Sequence, residues 1–457
     1  MNKFVTIFLL LAAVLGCKTR SSMAMQSDDS DLTLGARAAV TPHLNDCIQK
    51  LVDWENGANA GRSYRNSEPF WIEHYELPPS YPDGSELGEF VSGWDPGDLF
   101  QSMLIVGEGP SQRVRYFLNP EDRHFRQMVI ENFKAKGLNI EIQKKRFVGF
   151  TTASRSVIAI DTNTGMVFST KSSTNRVQGV PQKKAWGWQE SIEIAALNNA
   201  IAQLQGKGVF KTVDYQKDVF FTGIGDMDLG TEFRELPGLK ECKHYLLPGF
   251  AAMNEQLGAE IAEKNGSKDP SQFWQTHYAE PLGKAVAEHL AFVGLANTSP
   301  HSQNFLIELN KDFAPTGKIF FRDFGDAFAQ MAFLRAQGAE KIVEIYSKID
   351  TLRKEDNVEI GVGFLHLTSE TPRWMDYDKY QQWGQVFFSQ FELKLQKITK
   401  FPPSFIARAG DMYSSNGSKN YLVKNYLLGP SEKELLRQQS PCLKGQSKNL
   451  LGEICSR

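Results

Sequence analysis

The sequence predicts an α+β protein in which an antiparallel, β-rich N-terminal half precedes a helix-rich C-terminal half. Three observations favour this order. Short apolar runs with the spacing of β-strands, separated by turn residues, follow one another between residues 103 and 168. Apolar residues recur at helical spacing over much of the chain after residue 189. One further pair of short apolar runs, at 305–307 and 319–321, predicts a small β hairpin inside the helical half.

The elements of the N-terminal half follow from local patterns. The run 161–165 (DTNTG) contains residues that favour tight turns, and it joins the last two predicted strands. Residues 36–100 are rich in Pro, Gly and aromatic side chains, so apart from one short helix we expect them to be irregular and to cover the β layer. The predicted strands are 103–106, 114–117, 147–150, 157–160 and 166–168, and the predicted helices are 44–52 and 122–136.

The helices of the C-terminal half are predicted from apolar periodicity. In the segment 272–295 the apolar residues form one helical stripe, and His289 lies beside that stripe, where we expect a buried core residue. The predicted helices are 191–204, 272–295, 328–350 and 377–400.

The composition excludes several classes of protein. The chain has 457 residues, of which 41% are hydrophobic and 23% are charged. These fractions are typical of a globular protein and not of a disordered chain. The 51 basic and 53 acidic side chains give a formal net charge of -2. A general nucleic-acid-binding protein would carry a basic surplus, so we expect no nucleic-acid partner.

The first residues are similar to an export signal. Lys3 precedes an uncharged, mostly apolar run at 4–16, which is too short to span a bilayer and has the length of a signal-peptide core. The run ends at Gly16 and is followed by Cys17, an arrangement that resembles a bacterial lipobox, in which Cys17 would carry the lipid. This predicts secretion across the inner membrane and a membrane-anchored lipoprotein in the periplasm or at the cell surface. The alternatives are cleavage by an ordinary signal peptidase, for example after Ala24, and a cytosolic protein whose apolar start is a coincidence.

The four remaining cysteines could form two disulfides in an oxidising compartment. Cys442 and Cys455 are close together in a polar tail and are the favoured pair, and four unpaired thiols are the alternative. The sequence has no CxxC motif and no His/Cys cluster, so a structural zinc site is not expected.

These patterns divide the chain into five regions. The boundary near residue 188 is where strand-like spacing gives way to helical spacing. The regions are a signal peptide with a lipobox-like end (1–17), a solvated tether (18–35), a β-rich N-terminal region (36–188), a helix-rich C-terminal region with the candidate site (189–430) and a C-terminal tail (431–457).

The residues best suited to chemistry surround the predicted hairpin. Its first strand follows a polar loop that ends in Asn304, and its second strand ends at Arg322 and Asp323. A hairpin brings Asn304 and Asp323 to the same end of two adjacent strands, where their oxygen atoms suit Mg²⁺ bound together with nucleotide phosphates. Kinase-like folds use this arrangement, and the run 323–325 spells their Asp-Phe-Gly, but the loop before Asn304 lacks the kinase catalytic Asp. The alternative is a polar turn whose Asn and Asp cap the hairpin.

The stretch 274–326 resembles the C-terminal half of the siderophore synthetases of the aerobactin-synthetase type. That family has an aromatic-bearing helix, a His-x-Gln-Asn motif, a strand pair and then Arg-Asp. Upstream, the run 171–176 (KSSTNR) is similar to the family's strand with Lys and its Ser/Thr turn closed by Arg, and a solvated turn is the alternative for this run. The residues that match in the C-terminal stretch are Trp274, Tyr278, Gly294, Leu295, His301, Gln303, Asn304, Arg322 and Asp323.

The resemblance implies an open-hand fold with a kinase-like nucleotide cleft and with ATP and Mg²⁺ as cofactors. It implies activation of a small-molecule carboxylate as an acyl-adenylate, which an amine or alcohol then attacks. By position, the implied catalytic residues are His301 and Arg322, the implied metal ligands are Asn304 and Asp323, and the implied nucleotide contacts are Lys171, Ser173, Thr174, Arg176, Gln303 and Asn304.

Two departures from the family favour a second hypothesis. The chain has Ser299 where the family usually has an acidic residue, and it lacks the family's His-Pro-x-His-Pro-type motif. A lipoprotein would also face a compartment that holds little ATP. The alternative function is therefore a non-catalytic, membrane-anchored binding lipoprotein that reuses the fold.

Overall fold

We obtained a computed structural model of the chain. The residues that it describes are 29–57, 68–93, 98–120, 123–152, 156–173, 187–296, 302–323, 327–336, 339–350, 352–355, 372–399, 412–415 and 420–423. Outside these ranges lie Cys17, Thr174, Arg176, His301, Cys442 and Cys455, to which the sequence assigns a role.

Helices are spread along the whole described chain. Two π-helical segments, Gln275–Ala279 and His289–Val293, extend α8 and α9 so that 270–293 is one continuous helix. The α-helices are α1 (Asp29–Val40), α2 (Asp46–Gly57), α3 (Leu99–Leu104), α4 (Arg123–Ala135), α5 (Trp188–Gly206), α6 (Gly249–Ala252), α7 (Glu255–Lys264), α8 (Pro270–Trp274), α9 (Glu280–Glu288), α10 (Met331–Ala336), α11 (Glu340–Ser347) and α12 (Tyr377–Thr399).

The strands are short and mostly antiparallel. They are β1 (Phe70–Trp71), β2 (His74–Leu77), β3 (Gly88–Ser92), β4 (Ile105–Val106), β5 (Arg113–Phe117), β6 (Phe147–Thr151), β7 (Ser156–Asp161), β8 (Met166–Ser172), β9 (Val213–Tyr215), β10 (Asp218–Ile224), β11 (Leu229–Glu235), β12 (Tyr245–Pro248), β13 (Leu295–Ala296), β14 (Phe305–Leu309), β15 (Pro315–Phe321), β16 (Phe328–Gln330), β17 (Arg353–Glu355), β18 (Met412–Ser415) and β19 (Asn420–Val423).

A seven-stranded antiparallel sheet forms the N-terminal part of the fold, in the order β1-β6-β7-β8-β11-β10-β3. Its inner strand β10 is buried along its whole length because both faces are covered. Phe220 packs into an aromatic cluster with Phe233 on one face, and Phe221 packs with Trp188 and Ile194 of α5 on the other. A smaller sheet, β2-β5-β4, lies beside it.

The C-terminal part is built on a four-stranded sheet in the order β12-β14-β15-β9, in which β15 and β9 are parallel. The continuous helix over 270–293 packs against β15 and β9. His289 is buried there, with Nδ1 2.9 Å from the hydroxyl of Tyr215, and burial lowers the pKa of this histidine to about 3. The prediction that His289 belongs to the core is confirmed.

The α+β class and the predicted hairpin are confirmed, but the part of the chain after residue 188 holds more strands than this one hairpin, and three further features differ from the prediction. Met103 and Leu104 end helix α3 and do not begin a strand, because with Phe100 they are spaced to bury one helical face. Residues 328–330 form a strand that pairs with β13 and β17, so the predicted helix over 328–350 begins only at Met331 and is present as α10 and α11. The region 36–100 is more regular than expected, since its described residues hold the end of α1, all of α2 and three strands, and α1 itself begins at Asp29, within the segment 18–35 that was predicted to be a tether.

The large sheet crosses the predicted boundary between the two halves of the chain. Its strands β10 and β11 come from residues 218–235, beyond the boundary near residue 188, and they lie next to β3 and β8. A disulfide between Cys47 and Cys242, with Cα atoms 5.2 Å apart, joins helix α2 to the segment between β11 and β12. Among the helices of the described ranges, none has the length and apolarity needed to cross a membrane.

Candidate functional site

The hairpin of β14 and β15 brings its polar end residues together. Phe305 pairs with Phe321 across the two strands, and beyond this pair the backbone N–H of Arg322 donates to the carbonyl of Asn304 at 3.1 Å. Asn304 and Asp323 therefore lie at the same end of adjacent strands, as the sequence predicts. Asp323 has a φ of 63°, so the chain turns sharply at this residue.

Lys171 connects this hairpin end to the large sheet. It lies on β8 and pairs with Glu232 of β11 in the antiparallel register. Its amino group is 3.5 Å from Oε1 of Glu232 and donates to Oδ2 of Asp323 at 3.1 Å. The Lys171 side chain is 4% exposed, whereas Asp323 is 23% exposed. The buried ammonium of Lys171 thus links a carboxylate of the seven-stranded sheet to a carboxylate at the end of the four-stranded sheet.

Glu232 belongs to a larger buried cluster of charges. Arg234 makes two hydrogen bonds to the carboxylate of Asp218, at 2.7 and 3.1 Å, and its Nη2 lies 3.6 Å from Glu232. Burial, with the charges of Asp218 and Asp323, outweighs the opposing effect of Lys171 and Arg234, and the pKa of Glu232 is raised to about 7. A carboxyl group that titrates near neutral pH can exchange a proton under physiological conditions.

Arg322 organises the loop that precedes β14. Its Nε donates to the carbonyl of Gln303 at 2.8 Å, and its Nη2 donates to Oε1 of Glu55 at 2.6 Å. Glu55 is 1% exposed and lies on α2, which is distant in sequence. The guanidinium of Arg322 therefore fixes backbone geometry at the site and is held in turn by a buried carboxylate.

The two sheets meet directly beside these residues. Only Gln216 and Lys217 separate β9 of the four-stranded sheet from β10 of the seven-stranded sheet. The backbone N–H of Gln216 donates to the carbonyl of Phe321 at 2.9 Å, next to Arg322. The site thus lies where the chain crosses from one sheet to the other.

The predicted phosphate-binding residues have different surroundings. Lys171 is at the sheet junction, but the hydroxyl of Ser173 is buried and bonded to Gly230, accepting from its N–H and donating to its carbonyl, each at 3.0 Å. Gln303 and Asn304 are at the hairpin end, with Asn304 the more buried. Thr174, Arg176 and His301 lie outside the described residues, so their placement at the site stays a prediction.

Sequence reasoning missed the buried charges of β11 that surround Lys171. Glu232 and Arg234 alternate with apolar residues in β11, in the run TEFRE, and both are buried. Charged side chains at alternate positions of a strand are a signal of an inward-facing ionic cluster when the other face is also covered. No local signal points to Glu55, because its contact with Arg322 joins residues 267 positions apart.

These side chains fit a divalent cation whose coordination is completed by phosphate oxygens. Asp323 and Asn304 offer hard oxygen ligands, and Lys171 offers a positive charge beside them. Within the described ranges no group of three or more His, Cys, Asp or Glu residues could hold a metal on its own. Mg²⁺ in nucleotide sites is usually held by one or two carboxylates together with substrate phosphates, so this sparse set is of the expected kind.

Comparison with known proteins identifies the fold. No protein-family profile matches the chain, and no curated protein matches it in sequence. The petrobactin biosynthesis protein AsbB from Bacillus anthracis is a solved structure that is similar at 12% identity with a TM-score of 0.53, over 83% of this chain and 71% of that one. Aerobactin synthetase IucA from Klebsiella pneumoniae matches at 12% identity with a TM-score of 0.45, over 65% of this chain.

The comparison also sets a limit on what is shared. The chain spans 62% of the length of aerobactin synthetase IucA, and 65% of its ATP-bound form, which matches at 13% identity with a TM-score of 0.45 over 71% of this chain. At these identities the likeness concerns the fold. The likeness to AsbB extends over 83% of this chain. The chain has the fold of the siderophore synthetases, in a divergent form.

Proposed function

We propose that this protein binds ATP with Mg²⁺ at the junction of the two sheets and activates a small-molecule carboxylate. In this reaction a carboxylate oxygen attacks the α-phosphorus of ATP and pyrophosphate leaves. An amine or alcohol then attacks the acyl carbon, and AMP leaves as the amide or ester forms. The observation that carries the proposal is the contact of the buried Lys171 ammonium with Asp323 at the end of the hairpin.

Each group at the junction has a role in this proposal. Lys171 provides a positive charge that stabilises phosphate oxygens, and its burial strengthens that interaction because water screens it little. Asp323 and Asn304 would hold the cation, which would supply positive charge against the phosphates. With the Asp323 carboxylate engaged as a ligand, the ammonium of Lys171 would be left to face phosphate oxygens. Arg322 keeps Asn304 in place through the carbonyl of Gln303.

A second candidate function is a non-catalytic binding protein anchored to a membrane by a lipid on Cys17. The observation that favours it is the engagement of the Ser173 hydroxyl with Gly230 in the sheet, which leaves fewer groups for phosphate than the family pattern implies. Under this alternative the charge cluster around Lys171 is a structural link between the sheets. A Cys17→Ala variant that is released from the membrane fraction would support the lipid anchor.

The test is calorimetric titration of the full chain with ATP in the presence of Mg²⁺. We expect saturable binding that Asp323→Asn weakens by at least tenfold, because the substitution removes the anionic ligand. Asp226→Asn is the matched control, since Asp226 pairs with Lys136 at 2.6 Å elsewhere on the protein. Release of pyrophosphate that depends on added carboxylate would establish activation. A folded protein that binds no ATP would overturn the proposal and favour the binding protein.

A further inference from the structure

Helix α2 is fixed to the C-terminal part of the protein at its first turn. Cys47 is joined to Cys242 by the disulfide, and Asp46 accepts a hydrogen bond of 2.5 Å from the hydroxyl of Tyr245 on β12. The side-chain amide of Asn45 donates to the carbonyl of Leu239 at 2.8 Å. These contacts determine where the other end of the helix lies.

The last turn of α2 carries Glu55 into the protein interior. Its side chain is 1% exposed, and Oε1 accepts the 2.6 Å bond from Arg322. Oε2 is also buried and has no hydrogen-bond partner within the described ranges. A carboxylate in this position is costly unless it is paired with a cation. The guanidinium of Arg322 is thus the group that makes burial of Glu55 tolerable, and Glu55 in turn restricts the orientation of Arg322.

Arg322 transmits this restriction to the candidate site. Its Nε–H and its backbone N–H bind the successive carbonyls of Gln303 and Asn304, at 2.8 and 3.1 Å. The next residue, Asp323, contacts Lys171. A guanidinium that lost Glu55 would rotate towards other acceptors, and the hydrogen bond to Gln303 would be lost with it.

We infer that Glu55 is a positioning residue for the site. It lies on helix α2, outside every segment of the predicted site. Glu55 does not touch the proposed ligands. It holds the guanidinium of Arg322 so that the turn at 302–304 and the strand end at Asp323 keep the geometry needed for a cation and phosphates. The inference rests on the proposed function for its ligand, but the geometry it describes can be measured in the protein alone.

The first experiment measures amide hydrogen exchange in the full chain without ligand. We expect Glu55→Gln to increase exchange by about tenfold in peptides that cover 302–304 and 322–323, because the charged hydrogen bond to Arg322 is weakened. Glu76→Gln is the matched control. Glu76 also pairs with an arginine, Arg115, at 2.9 Å, but this pair lies on the three-stranded sheet of β2, β5 and β4. Unchanged exchange at 302–304 in Glu55→Gln would overturn the inference.

The second experiment measures coupling in ligand binding. Glu55→Gln and Arg322→Lys are each expected to weaken binding of ATP with Mg²⁺ by about tenfold to a hundredfold. The double variant is expected to bind about as weakly as Arg322→Lys alone, because Glu55 acts through Arg322. Independent effects that multiply would overturn the inference. If the unmodified protein binds no ATP, the proposed function fails, while the exchange experiment still decides whether Glu55 positions the turn.

Discussion

The ammonium of Lys171 lies 3.1 Å from the carboxylate of Asp323, and this contact between residues 152 positions apart in sequence joins the two sheets. Lys171 is buried in the seven-stranded sheet, and Asp323 is more exposed at the end of the four-stranded sheet. The pair therefore presents a carboxylate towards solvent and keeps its counter-charge behind it. Such an arrangement suits a site in which a cation can replace the ammonium as the partner of the carboxylate.

Glu232 is expected to make the stability of the protein depend on pH. Burial raises its pKa to about 7 in the folded protein, above the value of about 4.3 for an exposed glutamate. Between these values the folded protein binds a proton that the unfolded chain releases, so the free energy of unfolding falls as pH rises. Glu232→Gln should remove this dependence, which is on the order of 1 to 3 kcal/mol. Urea unfolding of both proteins from pH 5 to pH 8, without divalent cations, measures it. A difference between them that is constant with pH would contradict the prediction.

Glu288 is expected to be among the most sensitive positions for stability. Its Oε2 accepts from the backbone N–H groups of three successive residues, at 2.8 to 3.1 Å, and its Oε1 lies 2.7 Å from the amino group of Lys394. Glu288→Gln removes the charge that stabilises all four donors and should lower the free energy of unfolding by about 3 kcal/mol.

The control for Glu288 is Glu344→Gln, which breaks an exposed pair with Lys348 on helix α11. Exposed pairs contribute little, so this variant should unfold at nearly the same urea concentration as the unmodified protein. Equal effects of the two substitutions would show that the contacts of Glu288 with the backbone are unimportant.

Gln216 is expected to be a position where a polar side chain lowers stability. Both polar atoms of its amide are buried without a hydrogen-bond partner in the described parts of the chain. Gln216→Met keeps the length of the side chain and removes the unpaired donor and acceptor, so the free energy of unfolding should rise by about 1 kcal/mol. Chemical denaturation measures the change.

The control for Gln216 is Gln205→Met, since the amide of Gln205 donates to Asp214 and accepts from Lys217. That variant should lose stability because it breaks two hydrogen bonds. Loss of stability in Gln216→Met as well would mean that the amide of Gln216 binds water or a ligand in solution.

The Cys47–Cys242 disulfide is expected to stabilise the fold substantially. It connects residues 195 positions apart, and a link over so long a loop removes much of the freedom of the unfolded chain. Reduction should lower the free energy of unfolding by about 2 to 5 kcal/mol. Thermal unfolding with and without a reductant measures the effect, and the Cys47→Ser/Cys242→Ser variant should respond to the reductant much less than the unmodified protein. An unmodified protein that unfolds at the same temperature in both conditions would contradict the prediction.

The sequence was sufficient to predict the hairpin end of the site. The polar loop before Phe305 and the Arg322-Asp323 pair after Phe321 flank two clear apolar runs, and local pairing of a hairpin needs no long-range information. The long helix over 270–293 was equally predictable, because its apolar stripe is continuous and its end is marked by Gly294, which has a φ of 73°.

Other parts of the fold could not be predicted because their causes are distant in sequence. Strand β10 is buried on both faces, so it lacks the alternation that identifies a half-exposed strand. The ionic cluster depends on β8 and β11 becoming neighbours, which brings Lys171 to Glu232. Helix α2 was visible as a short amphipathic run, but nothing in that run indicates that Glu55 meets Arg322.

The position of the disulfide has a consequence for how the chain could be dissected. All strands from β1 to β11, and with them the entire seven-stranded sheet, lie between Cys47 and Cys242. In its oxidised form this part of the protein is a covalently closed ring with two tails. A protease that cuts the ring once would open it without releasing a fragment, so a nicked molecule would keep its full mass until it is reduced.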